Sequence, residues 1–251
     1  MAAALAAWRA RTLTITGAAA GWSIGVAILY GTGWEGGAVL AAFFVSSNLI
    51  SRAPGSASTN RLDPKSDQRD HWQVYANGAV AAAGAMVGRI DGELGLWLLT
   101  ISLAAAAADT WATAAGRWSA VPVRLVWSGE VVPAGTNGGM TPAGTAGAVA
   151  GALIISAIGA AASGQFILLP AGTLIGFVGM VADSMLGAFV QGRFHCPACN
   201  AASEWRIHRC GGATRREGGI AWLNNDGVNL LATALAGGGA LVAWYFLSPS
   251  S

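Results

Sequence analysis

An all-α, polytopic bundle of about seven membrane-spanning helices is the fold class this sequence predicts. Three observations predict it. Of 251 residues, 54% are hydrophobic and only 10% are charged, against roughly 25% charged in soluble domains. Mean hydropathy is +0.51. The few charges are not dispersed but gathered between long uncharged runs. Such a chain cannot cover a soluble surface, so lipid is the expected solvent. The composition excludes a disordered chain, a nucleic-acid binder with a basic face and a disulfide-stapled secreted domain.

The uncharged runs place the spans. No Asp, Glu, Lys or Arg occurs in residues 12–34, 36–51, 71–88, 94–108 or 227–251. The longest such run, 131–182, covers 52 residues. A spanning helix needs about 20 residues, so this run holds two helices after a polar start, broken near Ser163-Gly164-Gln165. The predicted spans are 12–30, 35–51, 72–89, 94–115, 142–162, 166–191 and 220–246. The second is short, and a re-entrant or tilted element there makes the count six. Residues 1–251 form a single integral-membrane domain, with a Cys/His loop at 193–219 inserted between the sixth and seventh spans. Arg9 and Arg11 precede an apolar stretch too long for a signal-peptide core, so the start reads as a retained first span.

Loop charge sets the orientation. With the N-terminus in the cytoplasm, 13 of the 14 basic residues fall on that side, and only Arg89 falls outside. That asymmetry follows the positive-inside rule and puts the C-terminus outside. Glycine recurs every fourth residue at Gly17, Gly21 and Gly25, at Gly84 and Gly88, and at Gly147 and Gly151. Small residues at this spacing let helix backbones approach in lipid, which reads as scaffold. The strong use of Arg over Lys and the Ala/Gly richness suggest the cytoplasmic membrane of a GC-rich prokaryote.

The polar chemistry collects in three long loops, about 52–71, 116–141 and 192–219, all cytoplasmic in this orientation. The first ends with Lys65, Gln68, Arg69, Gln73 and Asn77. Arg69 and Lys65 are suited to phosphate, or to anionic lipid as a juxtamembrane cluster. Gln73 and Asn77, four apart, share a helix face. The second loop contains Gly135-Thr136-Asn137-Gly138-Gly139 and Thr141 before the fifth span. Glycine-rich backbone leading into a helix N-terminus can cradle an anion, and Thr141 can equally be a plain N-cap.

Asp109, Asp183 and Asp226 lie inside or at the ends of spans, all toward the cytoplasmic side. Intramembrane acids are costly and mark function by default. Carboxylates converging at one depth suit a hard cation such as Mg²⁺. Asn224, Asn225 and Asn229 surround Asp226 at the entry of the last span. All three cysteines lie in the third loop, on the reducing side. Cys196 and Cys199 with His208 and Cys210 have the spacing of a structural zinc site, with His195 as the substitute imidazole.

At these residues the chain resembles a known integral-membrane family. The family contains the phytyl-phosphate kinases of plants and cyanobacteria and uncharacterised archaeal, bacterial and animal relatives, transmembrane protein 19 among them. The matching stretches are Phe44 to Arg52, Gln68 to Gly78, Ala108-Asp-Thr-Trp-Ala-Thr113, Pro133 to Gly139, Asp183-Ser-Met-Leu-Gly187 and Trp222-Leu-Asn-Asn-Asp226. They occur in family order. Two departures stand out: Ala114 replaces an acid common in the family, and Lys65-Ser-Asp67 replaces a more glycine-rich approach to Gln68.

The resemblance implies phosphoryl transfer from a nucleoside triphosphate, CTP or ATP, to an isoprenoid monophosphate in the bilayer. In that reaction Asp109, Asp183 and Asp226 would hold Mg²⁺. Arg69 and Lys65 would neutralise phosphates, and Gly135 to Gly139 with Thr141 would cradle them. Gln68, Gln73, Asn77, Asn224, Asn225 and Asn229 would orient oxygens. A lipid or small-molecule transporter is the competing class, although no inverted repeat is visible. The orientation is checked by labelling in spheroplasts with a membrane-impermeant maleimide. A cysteine introduced by Gly92→Cys should react in intact spheroplasts, and one introduced by Ser119→Cys only after permeabilisation; the opposite pattern inverts the topology.

Overall fold

Gly33 turns the first long helix back on itself. Its φ of 65° lies in the left-handed region, which glycine enters without the Cβ clash other residues meet. In the computed structural model, which describes residues 2–53, 68–203, 205–208 and 210–247, two short elements and two spans precede the first cytoplasmic loop. Helix α1 (Ala2–Arg9) leads to α2 (Ile15–Ser51), continuous in hydrogen bonding but broken at Gly33. A Cβ built on Gly25 would lie 3.9 Å from Leu40. In a straight helix those residues would stand about 22 Å apart. The two halves of α2 therefore form an antiparallel hairpin, and the short second span is a full partner in the bundle rather than a re-entrant piece.

The remaining helices are α3 (His71–Val87), α4 (Gly92–Gly116), α5 (Pro142–Ser163), α6 (Leu168–Phe189) and α7 (Asn225–Leu247). With the α2 hairpin counted as two, seven spanning segments follow the predicted order. Five of the helices are long and apolar enough to cross a membrane by themselves; α3 is one residue below that length. The last span begins at Asn225 rather than 220, because 220–224 form a turn capped by Asn224. Two small sheets sit in the loops. β1 (Arg124–Leu125) pairs with β2 (Gly139–Met140). β3 (Arg193–Cys196) lies between β4 (Ala201–Ser203) and β5 (Arg215–Gly218), all antiparallel. These strands are the only departure from the all-α expectation among the described residues.

Helix α4 is the axis of the bundle. Every residue from Gly95 through Ala108 is buried, which no helix facing lipid on one side could show. Its neighbours reach it through glycines. Gly84 of α3 sits on Leu98, Gly159 of α5 on Thr100, Gly176 of α6 on Ala104, and Gly179 of α6 on Ala105. Gly151 and Gly147 of α5 lie against Ala107, Trp111 and Ala115. At the outer end, the fully buried Trp97 donates its indole N–H to Gln165 Oε1 at 2.6 Å and meets Trp244 edge-on at 5.4 Å. Arg89, on the outer α3–α4 turn, lies over the Tyr30 ring at 5.0 Å.

The ends of the bundle are tied by backbone. Thr14 N–H donates to Arg69 O at 3.1 Å and Arg69 N–H to Thr12 O at 3.0 Å, so the entry of α2 and the entry of α3 share one level. The segment between α6 and α7 closes on itself at its base. Gly192 N–H donates to Leu223 O at 2.9 Å, and Ile220 N–H to Val190 O at 2.8 Å.

A Cβ at Gly84 would stand 2.6 Å from Leu98 Cβ and 3.2 Å from its backbone carbon, so it cannot be accommodated without moving α3 off α4. Gly84→Ala is expected to lower stability by about 1–3 kcal/mol in detergent unfolding. Gly238 meets nothing within 4 Å, and Gly238→Ala should be neutral or stabilising by up to about 1 kcal/mol. Equal effects from the two would remove the close α3–α4 contact.

Candidate functional site

Four helices bring their polar residues to one small cavity. It is lined by Asn77 of α3, Asp109 of α4, Asp183 of α6 and Asn229 of α7, with Thr233 and the small residues Ala105, Ala106, Gly179 and Ala232. Asp109 lies seven residues before the end of α4, Asp183 six before the end of α6, and Asn77 six after the start of α3. At 1.5 Å per residue these positions share a level about 9–10 Å below the helix ends, with Asn229 slightly nearer the surface. The cavity volume is about 10 Å³, the size of one water or one small ion.

The oxygens there are short of partners. Asp183 Oδ2 and Asn229 Oδ1 are buried with no hydrogen bond among the described residues. Asn77 Nδ2 donates to Gln73 O at 2.9 Å, which turns its amide oxygen to the other side. Buried polar atoms are satisfied in the great majority of cases, so two orphaned oxygens on one ion-sized cavity are informative. Two carboxylates and two amides make a hard, all-oxygen donor set. That set fits Mg²⁺ and does not suit a soft metal.

Arg69 sits at the same end, half-buried, with its backbone pinned between Thr12 and Thr14. Burial pulls its guanidinium below the usual range, and the nearby Asp109 carboxylate opposes that shift. Arginine remains charged in either case. Its neighbours have other work. Asp70 accepts from Gln73 N–H at 3.0 Å, and Gln73 Oε1 accepts from Asp70 N–H at 3.3 Å, a capping box that starts α3. Gln73 is therefore a helix-starting residue in this structure and does not line the cavity with Asn77. Gln68 is half-buried just before Arg69. Lys65 lies outside the described residues, as do Arg61 and Arg209 of the charge count.

The glycine-rich loop docks on the end of α6. Asn137 Nδ2 donates to Gly187 O at 3.0 Å, one turn beyond Asp183. Gly135 and Gly138 have φ of 88° and 79°, and Gly138 lies under the Trp127 ring, which leaves no room for a side chain. Thr136 N–H and Gly139 N–H are used within the loop, on Pro133 O and Thr136 O. The N–H groups of Gly135, Asn137 and Gly138 have no hydrogen-bond partner among the described residues. Thr136 Oγ1 donates to Pro133 O at 2.8 Å. Thr141 is buried and caps α5 through Gly144 N–H at 3.0 Å, so its hydroxyl supports the loop rather than facing solvent.

Asp226 is buried in the first turn of α7 but does not line the cavity. Asn224 accepts from Gly227 N–H at 3.0 Å as the α7 cap, and Asn225 is exposed. Two lining or neighbouring residues escape the sequence analysis. Thr233 donates to Asn229 O at 3.0 Å and approaches Ala76 O at 3.2 Å; its position four residues after Asn229 was the available signal. Gln191 is buried at 2% exposure with Nε2 unpartnered, at the charge-poor end of a span where a glutamine is easily passed over.

The cysteines form a second, separate cluster. One ligand atom from each of Cys196, Cys199, His208 and Cys210 lies within 4.8 Å of every other. His195 instead faces Glu217 at 3.8 Å and is not part of it. His208 Nδ1 is 3.2 Å from Cys210 Sγ. That contact, the Gly212 N–H and the Cys199 thiol pull the Cys210 thiol down to about 6, while donating to Cys210 pushes Cys199 up to about 11.

A helical membrane protein with a buried carboxylate–amide site at one end of the bundle is the class these features define. The chain belongs to the integral membrane protein family DUF92, whose model matches residues 1–237. An uncharacterized membrane protein of Methanocaldococcus jannaschii is 29% identical over 216 residues, 85% of this chain and 78% of that protein. Protein PGR of Arabidopsis thaliana is 25% identical over 271 aligned residues, 92% of this chain and 89% of that protein. No solved structure matches. The family resemblance carried by the ordered motifs thus holds.

Cys210 ionises below neutrality and Cys199 far above it, so metal-free protein at pH 7.5 should be alkylated by iodoacetamide at Cys210 first. Peptide mapping reads the order. The preference should fade as pH falls below about 6; faster reaction at Cys199 would contradict the hydrogen-bond pattern.

Proposed function

We propose that this protein transfers a phosphoryl group from a nucleoside triphosphate to an isoprenoid monophosphate at the cytoplasmic face of a prokaryotic membrane. The observation that carries the proposal is the meeting of Asn77, Asp109, Asp183 and Asn229 from four helices around one ion-sized, oxygen-lined cavity. It lies beneath a glycine loop with unpaired N–H groups and beside a half-buried arginine. Each part has a use in phosphoryl transfer, which depends on positioning and charge neutralisation more than on covalent chemistry by the protein.

Mg²⁺ held by Asp109, Asp183 and the two amide oxygens would supply positive charge to the phosphoryl oxygens. The cavity is too small for a nucleotide, so the phosphates would lie above it, toward the loop and Arg69. Arg69 would hold the acceptor phosphate in a fixed orientation. The N–H groups of Gly135, Asn137 and Gly138 would receive nucleotide phosphate oxygens. An oxygen of the lipid phosphate attacks the terminal phosphorus, the bond to the bridging oxygen breaks, and nucleoside diphosphate leaves. No general base is needed, because the attacking oxygen is already anionic. The isoprenoid chain would lie between helices, in the same solvent as the surrounding lipid. The capping roles of Asp70, Gln73, Thr141 and Asn224 keep the ends of α3, α5 and α7 in register with the cavity.

Purified protein in detergent, supplied with phytyl or geranylgeranyl monophosphate, Mg²⁺ and either CTP or ATP, is expected to form the lipid diphosphate. Asp109→Asn and Asp183→Asn should each lower turnover by about 10²–10³-fold, with Gly238→Ala as the unaffected control. Arg69→Lys should lose less than Arg69→Ala, mainly by raising KM for the lipid phosphate. Unchanged turnover in both acid variants would remove the site assignment. Absence of product with every nucleotide, together with nucleotide-independent flux in proteoliposomes, would replace the reaction by transport.

A further inference from the structure

We propose that Cys196, Cys199, His208 and Cys210 bind one zinc ion and that this ion folds residues 193–218 into a ribbon on the cytoplasmic end of the bundle. The ribbon has the right parts in the right places. Cys196 ends β3, and Cys199 lies in the turn before β4. His208 and Cys210 lie in a second turn before β5, closed by a bridge between Ile207 and Ala213. Two turns, each offering two ligands from opposite sides of a three-stranded sheet, converge on one point.

Distances support a metal rather than a disulfide. Cys196 Sγ and Cys210 Sγ stand 3.6 Å apart, far longer than a disulfide bond of about 2.05 Å. Two thiolates on tetrahedral zinc, at Zn–S of about 2.3 Å, are separated by about 3.8 Å. The backbone makes room for such a centre. A Cβ at Gly212 would lie 3.3 Å from Cys210 Sγ and 3.5 Å from Cys196 Sγ. Asn200 and Gly211 take φ of 51° and 83° to turn the chain around it.

The segment has little else to hold it. Among its described residues only Phe194, Cys196, Ser203 and His208 are buried, far less than an independent core requires. His208 Nε2 is buried without a partner, which leaves Nδ1, the atom beside Cys210, to act as the ligand. Three thiolates and an imidazole are soft donors that select zinc over magnesium or calcium. Four protein ligands leave no open position, so the ion is structural. Each thiol gives up its proton to solvent as its sulfur binds.

The base of the ribbon does not depend on the ion, since the bonds at Gly192 and Ile220 join backbone to backbone. Metal therefore orders the tip and leaves the α6–α7 connection in place. This inference is independent of the proposed phosphoryl transfer.

The test is metal analysis of full-length protein purified in detergent without chelators, with reductant present throughout. One zinc per chain is expected, and Cys199→Ser should lose it. Wild-type protein exchanged into cobalt should show intense tetrahedral d–d absorption with thiolate charge-transfer bands, a readout that needs no variant. Gly212→Val should lose the same signal by crowding the sulfurs. Asp183→Asn should keep its zinc. No stoichiometric metal, stoichiometric iron, or an octahedral cobalt spectrum would each overturn the proposal, as would loss of zinc in Asp183→Asn.

Discussion

Two carboxylates can share a cavity inside a membrane bundle only if the helices that carry them come close to backbone contact. Here that approach is made by the run Ala104 to Ala108 on α4 facing glycines of α5 and α6. A larger residue at Gly176 or Gly179 would hold α6 away and separate Asp183 from Asp109. The cost of such an arrangement is real, since an acid at mid-helix is disfavoured by about 2.5–3.5 kcal/mol on insertion scales. Offsetting it requires something positive or donating nearby, which is the physical reason Arg69 and two amides belong to the same neighbourhood.

The protein also keeps two donor chemistries apart. Oxygen ligands lie within the bundle, between helices whose positions are set by packing. Sulfur and nitrogen ligands lie in a loop whose shape is set by hairpin turns. Hard and soft cations would therefore not compete for one site. The two regions meet at the end of α6, where Arg193 donates to Ala188 O at 2.8 Å and Asn137 holds Gly187 O. Movement of the last turn of α6 would be felt in both.

The spans were readable from the sequence because ionisable residues in lipid are rare enough to mark boundaries by themselves. Asp109, Asp183 and Asn229 stood out for the same reason, being polar where polarity is costly. What sequence could not supply was rotation. Asp226 and Asn229 differ by three residues, yet only Asn229 lines the cavity, and Gln73 and Asn77 share a helical face while only Asn77 reaches it. Such differences depend on which side of a helix meets its neighbour, and hydropathy of an almost uniformly apolar helix carries no such signal. The capping uses of Gln73, Thr141 and Asn224 were likewise ambiguous, because a cap and a phosphate contact favour the same residue types at the same helix starts. The hairpin at Gly33 was obscured by Glu35 two residues later, which split the uncharged run and made the second span look short.

Because Val190–Gly192 and Ile220–Leu223 are stitched together at the membrane surface, the polypeptide leaves and re-enters the bundle at almost one point. Whatever is carried between them is mechanically a pendant, hung from a closed ring. Such an attachment can be lengthened, shortened or exchanged for a tight turn without altering the spacing of α6 and α7. The membrane core and its appendage are thus free to diverge at different rates.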